Sequence, residues 1–107
     1  MNLLTEELVE QIPDLYATEG QQDPLVHARF FTPDSTWSWY VLEFDGDDTC
    51  FGYVVGHYPE LGYFSLSELE SVRGPLGLPV ERDSHFRSSR LSSVMRKVTG
   101  QLQGRRG

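Results

Sequence analysis

The sequence predicts one small α+β domain, a curved antiparallel sheet of three to four strands packed against helices. Three observations lead there. Short runs of aromatic and β-branched residues over about 25–32, 36–45, 50–58 and 62–66 are separated by Gly, Pro and Asp clusters. A capped helix precedes them. A short helix near 67–72 and an amphipathic run over 89–99 follow them.

At the N-terminus, Thr5 is an N-cap residue, and Glu6 and Glu7 sit where the helix dipole favours negative charge. Leu4 and Val9 are spaced for a hydrophobic staple, and Leu8, Val9 and Ile12 make a narrow apolar stripe that Pro13 ends. Residues 13–24 read as a loop, with Leu15 and Tyr16 tucked back onto the core.

In the first strand, Val26, Ala28 and Phe30 alternate with His27 and Arg29, which places the three apolar residues on one face. The second strand has Trp37, Trp39 and Val41 on one side and Tyr40, Leu42 and Phe44 on the other. With both faces apolar it is a central strand, covered twice. Asp45-Gly46-Asp47-Asp48 is a hairpin turn in which Gly46 can take positive φ. The third strand carries Gly52 and Gly56, which leave room for a large neighbour such as a Trp, or mark a bulge. Pro59 to Gly62 reads as a second tight turn and Tyr63 to Leu66 as a short fourth strand.

Ser67 to Glu70 has the spacing of a capping box, and the helix it opens stops before Gly74-Pro75. Residues 74–88 form an extended connection. In the last helix Leu91, Val94, Met95 and Val98 share a face, with Gly100 as its C′ residue. Residues 1–100 make the domain, and 101–107 form a flexible basic tail.

The chain has 107 residues, one domain's worth, with 38% apolar and 12% aromatic residues, so large rings must fill much of the core. The lone Cys50 excludes an intramolecular disulfide, and its strand setting makes it a small buried hydrophobe. The first residues lack a signal-peptide pattern and no apolar run is long enough for a membrane span. The cytoplasm is the expected compartment.

Net charge is −7, but it is divided unevenly. All sixteen acids lie between Glu6 and Asp83 beside only three arginines, a balance of −13, while the last 21 residues hold six cations and no acid. Glu43, Asp45, Asp47, Asp48, Glu60, Glu68 and Glu70 are the candidate partner-binding acids. Arg87, Arg90, Arg96, Lys97, Arg105 and Arg106 are the candidate nucleic-acid contacts of the alternative reading.

Catalytic and cofactor chemistry finds little support. The carboxylates at 43–48 lack the loop of a calcium hand, and the hairpin explains them. His27, His57 and His85 are scattered, which argues against zinc. Gly-x-Ser-x-Gly is absent, and Gly74-Pro75-Leu76-Gly77 lacks the lysine and the strand-to-helix setting of a phosphate loop. No cofactor, metal or catalytic residue is expected. Trp37, Trp39 and Tyr40 read as core rather than as a base-stacking platform, because the charge around them opposes phosphate.

Several blocks are distinctive together: Phe30-Phe31-Thr32-Pro33, Trp37-Ser38-Trp39-Tyr40, Glu43-Phe44-Asp45-Gly46 and Phe51-Gly52-Tyr53-Val54-Val55-Gly56, then Glu60 to Leu69 and Arg73 to Asp83. Through them the chain resembles, over roughly residues 3 to 98, a small bacterial family known as domain of unknown function 2958. The resemblance implies carriage on plasmids, phages and integrative elements, with accessory roles such as plasmid maintenance or interference with restriction or CRISPR defence. It supplies no catalytic residue. The expected function is therefore a non-enzymatic acidic protein-binding module, its partner a nuclease or CRISPR effector complex whose DNA channel an acidic surface can occupy. The alternatives are a nucleic-acid-binding accessory that uses the basic C-terminal residues, a small enzyme, and a self-associating homodimer.

Overall fold

The computed structural model describes residues 3–104, with side chains as far as Gln101. It is α+β. A five-stranded open antiparallel sheet is crossed by helices on both faces. In chain order the elements are α1 (Glu6–Gln11), β1 (Leu25–Val26), β2 (Ala28–Phe31), β3 (Ser38–Phe44), β4 (Thr49–Val55), β5 (Pro59–Ser65), α2 (Leu66–Ser71), β6 (Glu81–Arg82), β7 (Ser89–Arg90) and α3 (Leu91–Gly104). The strand order is β5-β4-β3-β2-β6, and β1 pairs with β7 in a separate two-stranded ladder.

The sheet separates two apolar clusters. On one face Phe30, Trp39, Val41, Phe44 and Cys50 pack with Leu4, Ile12, Leu69 and Val80. On the other, Tyr40, Leu42, Tyr53 and Val55 pack with Val26 and with Leu91, Val94 and Val98 of α3. β3 is buried along its whole length, as a central strand with two apolar faces must be. A fully buried ring such as Phe30 contributes roughly 1.5–3 kcal/mol.

Two irregularities move residues off the faces that strict alternation predicts. His27 interrupts the first strand: its N–H donates to Val41 O at 2.9 Å, β1 turns away to pair with β7, and Val26 joins the α3 side while Ala28 and Phe30 stay on the other. In β3 the register against β4 shifts between Val41 and Glu43. This bulge carries Phe44 to the Trp39 side, away from Tyr40 and Leu42.

The β3–β4 hairpin forms where the sequence places it, with Gly46 at φ 85°. Gly52 in β4 and Gly56 just past its end have the predicted purposes. A Cβ on Gly56 would lie 2.5 Å from Cη2 of Trp37, and one on Gly52 would lie 1.8 Å from the Tyr40 carbonyl oxygen, beside the bulge. The next reversal comes earlier than predicted, over residues 56–58, so that Pro59 opens a seven-residue strand at the sheet edge. Proline is acceptable there because the first residue of an edge strand needs no ladder donor.

The helix caps also differ. Thr5 caps α1 as predicted, its Oγ1 accepting from the Leu8 N–H at 3.2 Å, but Val9 turns outward and Tyr16 remains exposed. Ser65, not Ser67, caps α2 and accepts from the Glu68 N–H. The connection over 74–88 contains β6, which pairs with Phe30 and Phe31. The α3 helix begins at Leu91 after the β7 bridge and runs through Gly100 to Gly104. Its cap is supplied from a distance, with Asp23 accepting from the Ser92 N–H at 2.8 Å and the Ser92 hydroxyl at 2.7 Å. The predicted Leu91, Val94, Met95 and Val98 face is the one that packs.

Candidate functional site

The seven acids singled out in the sequence do not share one surface. Glu43 leaves the surface altogether. The bulge turns it inward, 2% exposed, where its carboxylate accepts the Tyr16 N–H at 2.8 Å, the Thr18 N–H at 3.0 Å and the Thr18 hydroxyl. It holds the 13–20 segment against the sheet, with Tyr16 in the left-handed region at φ 70°. Glu60 stands in the first part of β5, paired with Val54, far along the strand from the hairpin turn. Glu68 is exposed on α2.

The acids of the hairpin turn divide their work. Asp45 Oδ1 accepts three backbone N–H groups, from Asp47 at 2.8 Å, Asp48 at 2.9 Å and Thr49 at 3.1 Å. Those from Asp47 and Asp48 hold its carboxyl below the usual range most strongly. Asp48 reaches across to the start of α2, accepting from the Ser65 hydroxyl, the Ser67 hydroxyl at 2.8 Å and the Ser67 N–H at 2.8 Å. The two hydroxyls lead in lowering its pKa. The Leu66 N–H donates to the Asp48 carbonyl at 2.9 Å, so the turn and the helix form one unit.

That unit makes one wall of an open groove of about 500 Å³. Asp47 and Asp48 come from the turn, Glu70 from α2, and Glu6 and Glu10 from α1. Leu3, Leu4, Val9, Phe44 and Leu66 supply the apolar lining. Among the described residues no lysine, arginine or histidine lines it. Among the described residues no cation pairs with Glu6, Glu10 or Asp47. The sequence predicts for Glu6 only a place at the helix dipole, and nothing in it singles out Glu10 except spacing. Their i,i+4 spacing was the available signal, because like charges so placed repel along a helix face. Val9, outward and 37% exposed, is accounted for by this lining.

The basic residues are less convergent. Arg87 is exposed in the loop before β7. Arg90 donates to the Asp23 carbonyl at 3.2 Å and Arg96 to the Ser93 hydroxyl at 3.4 Å. Asp23 sits among them; the Ser92 hydroxyl and N–H, with Arg90 and Arg96 adding to their effect, hold its carboxyl low. Lys97 lines a different cleft, beside Arg29. Arg105 and Arg106 lie outside the described residues.

Cys50 is fully buried and its thiol is pushed up to about 12, mainly by burial, with Asp45 and Asp48 adding to it. His57 is exposed and meets the Trp37 ring edge-on at 5.6 Å. Among the described residues no three His, Cys, Asp or Glu side chains are grouped so as to hold a metal ion, and no helix is long and apolar enough to cross a membrane.

The chain belongs to the family described as "Protein of unknown function (DUF2958)", matching it over residues 3–102. No curated protein and no solved structure matches it.

Proposed function

We propose that this member of the family is a protein-binding module whose acid-walled groove takes a basic, amphipathic segment of a partner protein. The single observation that carries the reading is convergence. Carboxylates from three separate chain segments, α1, the β3–β4 turn and α2, line one apolar groove, and among its described lining residues there is no Lys, Arg or His. A segment with Leu or Phe on one side and Lys or Arg on the other matches such a groove in both respects. The like-charged pair Glu6 and Glu10, mildly unfavourable in the free helix, becomes favourable once cations sit between them.

The partner class follows from the same chemistry. Surfaces that handle nucleic acid are rich in Lys and Arg, so a nuclease or CRISPR effector complex of the host is the partner we favour, with carriage on a mobile element as the setting. Binding there would compete with phosphate for the same cations. The chain then acts without catalysing a reaction, as an inhibitor of host defence in the cytoplasm. The nucleic-acid-binding alternative has less support, since Asp23 stands among the basic side chains of β7 and α3.

Calorimetric titration of the full chain with an amphipathic peptide of Leu and Lys tests the reading. Saturable binding at low salt that weakens as salt rises is expected, with no binding of the same peptide carrying Glu in place of Lys. Absence of saturable binding by the basic peptide at low salt overturns it.

A further inference from the structure

A second cleft, of about 250 Å³, opens on the opposite side of the sheet between β2, β3, α3 and the loop after β6. Its charged lining is Arg29, Lys97 and Asp83, in contrast to the acidic groove. Ser89 and Ser93 line it as well, and the Ser89 hydroxyl already donates to the Arg87 carbonyl at 2.9 Å.

Arg29 is held in place from several sides. Its guanidinium donates to Ser38 Oγ at 2.9 Å and Asp83 Oδ2 at 3.1 Å, and it lies over the Phe31 ring at 4.7 Å and the Tyr40 ring at 5.9 Å. Asp83 is committed to the protein: one oxygen takes Arg29 and the other accepts the His85 N–H at 2.9 Å. The two charges of that pair cancel. Lys97 has no ion-pair partner among the described residues, so the cleft keeps one uncompensated positive charge in a protein of net charge −7. Phe86 and Val94 give it an apolar wall.

We infer that this cleft binds a small monoanionic organic acid, its oxyanion between Lys97 and the Ser93 hydroxyl, whose proton is free to donate, and its short apolar body against Phe86 and Val94. One free cation suits one negative charge. A preformed arginine with donors to spare adds the planar hydrogen bonding that an oxyanion favours. The volume lies below the roughly 300–1,000 Å³ of pockets for drug-sized ligands, which limits the ligand to a few heavy atoms. Affinity on the order of millimolar is what so few atoms supply.

The test is an amide chemical-shift titration of the full chain with butyrate, with inorganic phosphate and chloride as matched arms. Butyrate is expected to give saturable shifts at Ser89, Ser93 and Lys97, stronger than either control. Lys97→Met, which keeps the apolar stem, is expected to weaken binding roughly tenfold, while Lys97→Arg retains it. Lys97 is exposed, so neither change threatens folding. Shifts that chloride or phosphate reproduces, no saturation with butyrate, or unchanged binding in Lys97→Met overturn the inference. So does a single-stranded oligonucleotide that shifts these amides while butyrate does not, since the cleft would then serve nucleic acid.

Discussion

The carboxylate of Glu43 and the residue Thr18 form a buried pair in which both the Thr18 N–H and the Thr18 hydroxyl donate to the same oxygen, Oε2. The other oxygen takes the Tyr16 N–H. An acid on a central strand thereby has both oxygens hydrogen-bonded by donors from a loop 25 to 27 residues away. Replacing it by alanine leaves two backbone donors without their acceptor and opens a void. Glu43→Ala is expected to lower unfolding free energy by about 2–4 kcal/mol, and Glu43→Gln by about 1–3 kcal/mol, since its amide offers only one acceptor oxygen. Urea denaturation checks both. A change under about 0.5 kcal/mol for Glu43→Ala would show that the pair is not structural.

Gly52 and Gly62 face each other across β4 and β5 but differ in what surrounds them. A Cβ at Gly52 meets the Tyr40 backbone at 1.8 Å, whereas at Gly62 nothing lies within 4 Å. Gly52→Ala is expected to cost more than about 3 kcal/mol or to prevent folding, and Gly62→Ala to stay within about 1 kcal/mol of the parent. Thermal unfolding of the two variants side by side gives the comparison, and equal effects would contradict the close approach at the bulge.

Cys50 is expected to resist thiol reagents in the folded protein. Its side chain is inaccessible, and a thiol pushed up to about 12 carries almost no thiolate at neutral pH. Labelling should require unfolding and follow the same denaturant midpoint as circular dichroism. Rapid labelling in native buffer would contradict the burial.

Stability should fall in acid in two stages. His27 has its pKa lowered by burial, so protonation is favoured in the unfolded chain, and stability declines as pH drops below the ordinary value of 6.5. Asp23, Asp45 and Asp48 have lowered pKa values through their hydrogen bonds. Their contribution is complete above the ordinary value of 3.8 and is lost as pH falls through the lower folded values. Melting temperature against pH should show both stages, and His27→Gln should remove the upper one alone. A profile flat from pH 7 to pH 4 would contradict the His27 assignment.

Sequence patterning alone captures much of this fold, and its failures have local causes. The β3–β4 hairpin was legible because Asp-Gly chemistry and paired aromatic runs agree, and Gly56 could be matched to a Trp because a glycine inside a strand leaves a space. The α3 stripe was legible through its 3.6-residue period. The breaks at His27 and at the β3 bulge were not legible, since each inserts a single residue that alternation cannot register. The caps of α2 and α3 were misplaced for another reason. Ser65 and Ser67 are equivalent as a local signal, and Asp23 acts across 69 residues. Glu43 carried a sign of its burial, as the one charged residue of an otherwise uncharged strand, but its partners lie on a loop without periodicity. The groove needed the tertiary fold to bring Glu6 and Glu10 beside Asp47 and Glu70.

The proposed groove rests on placement rather than on total charge, and two double variants separate these. Glu10→Lys with Asp47→Lys reverses two exposed groove positions, while Glu60→Lys with Glu68→Lys makes the same change of net charge away from the groove. Binding of the basic amphipathic peptide is measured by calorimetry against both. The groove variant is expected to lose about tenfold or more in affinity, and the control to stay within about twofold of the parent. Equal losses in the two variants would mean that the chain attracts basic partners by overall charge alone, and an unchanged groove variant would mean that the groove is not where they bind.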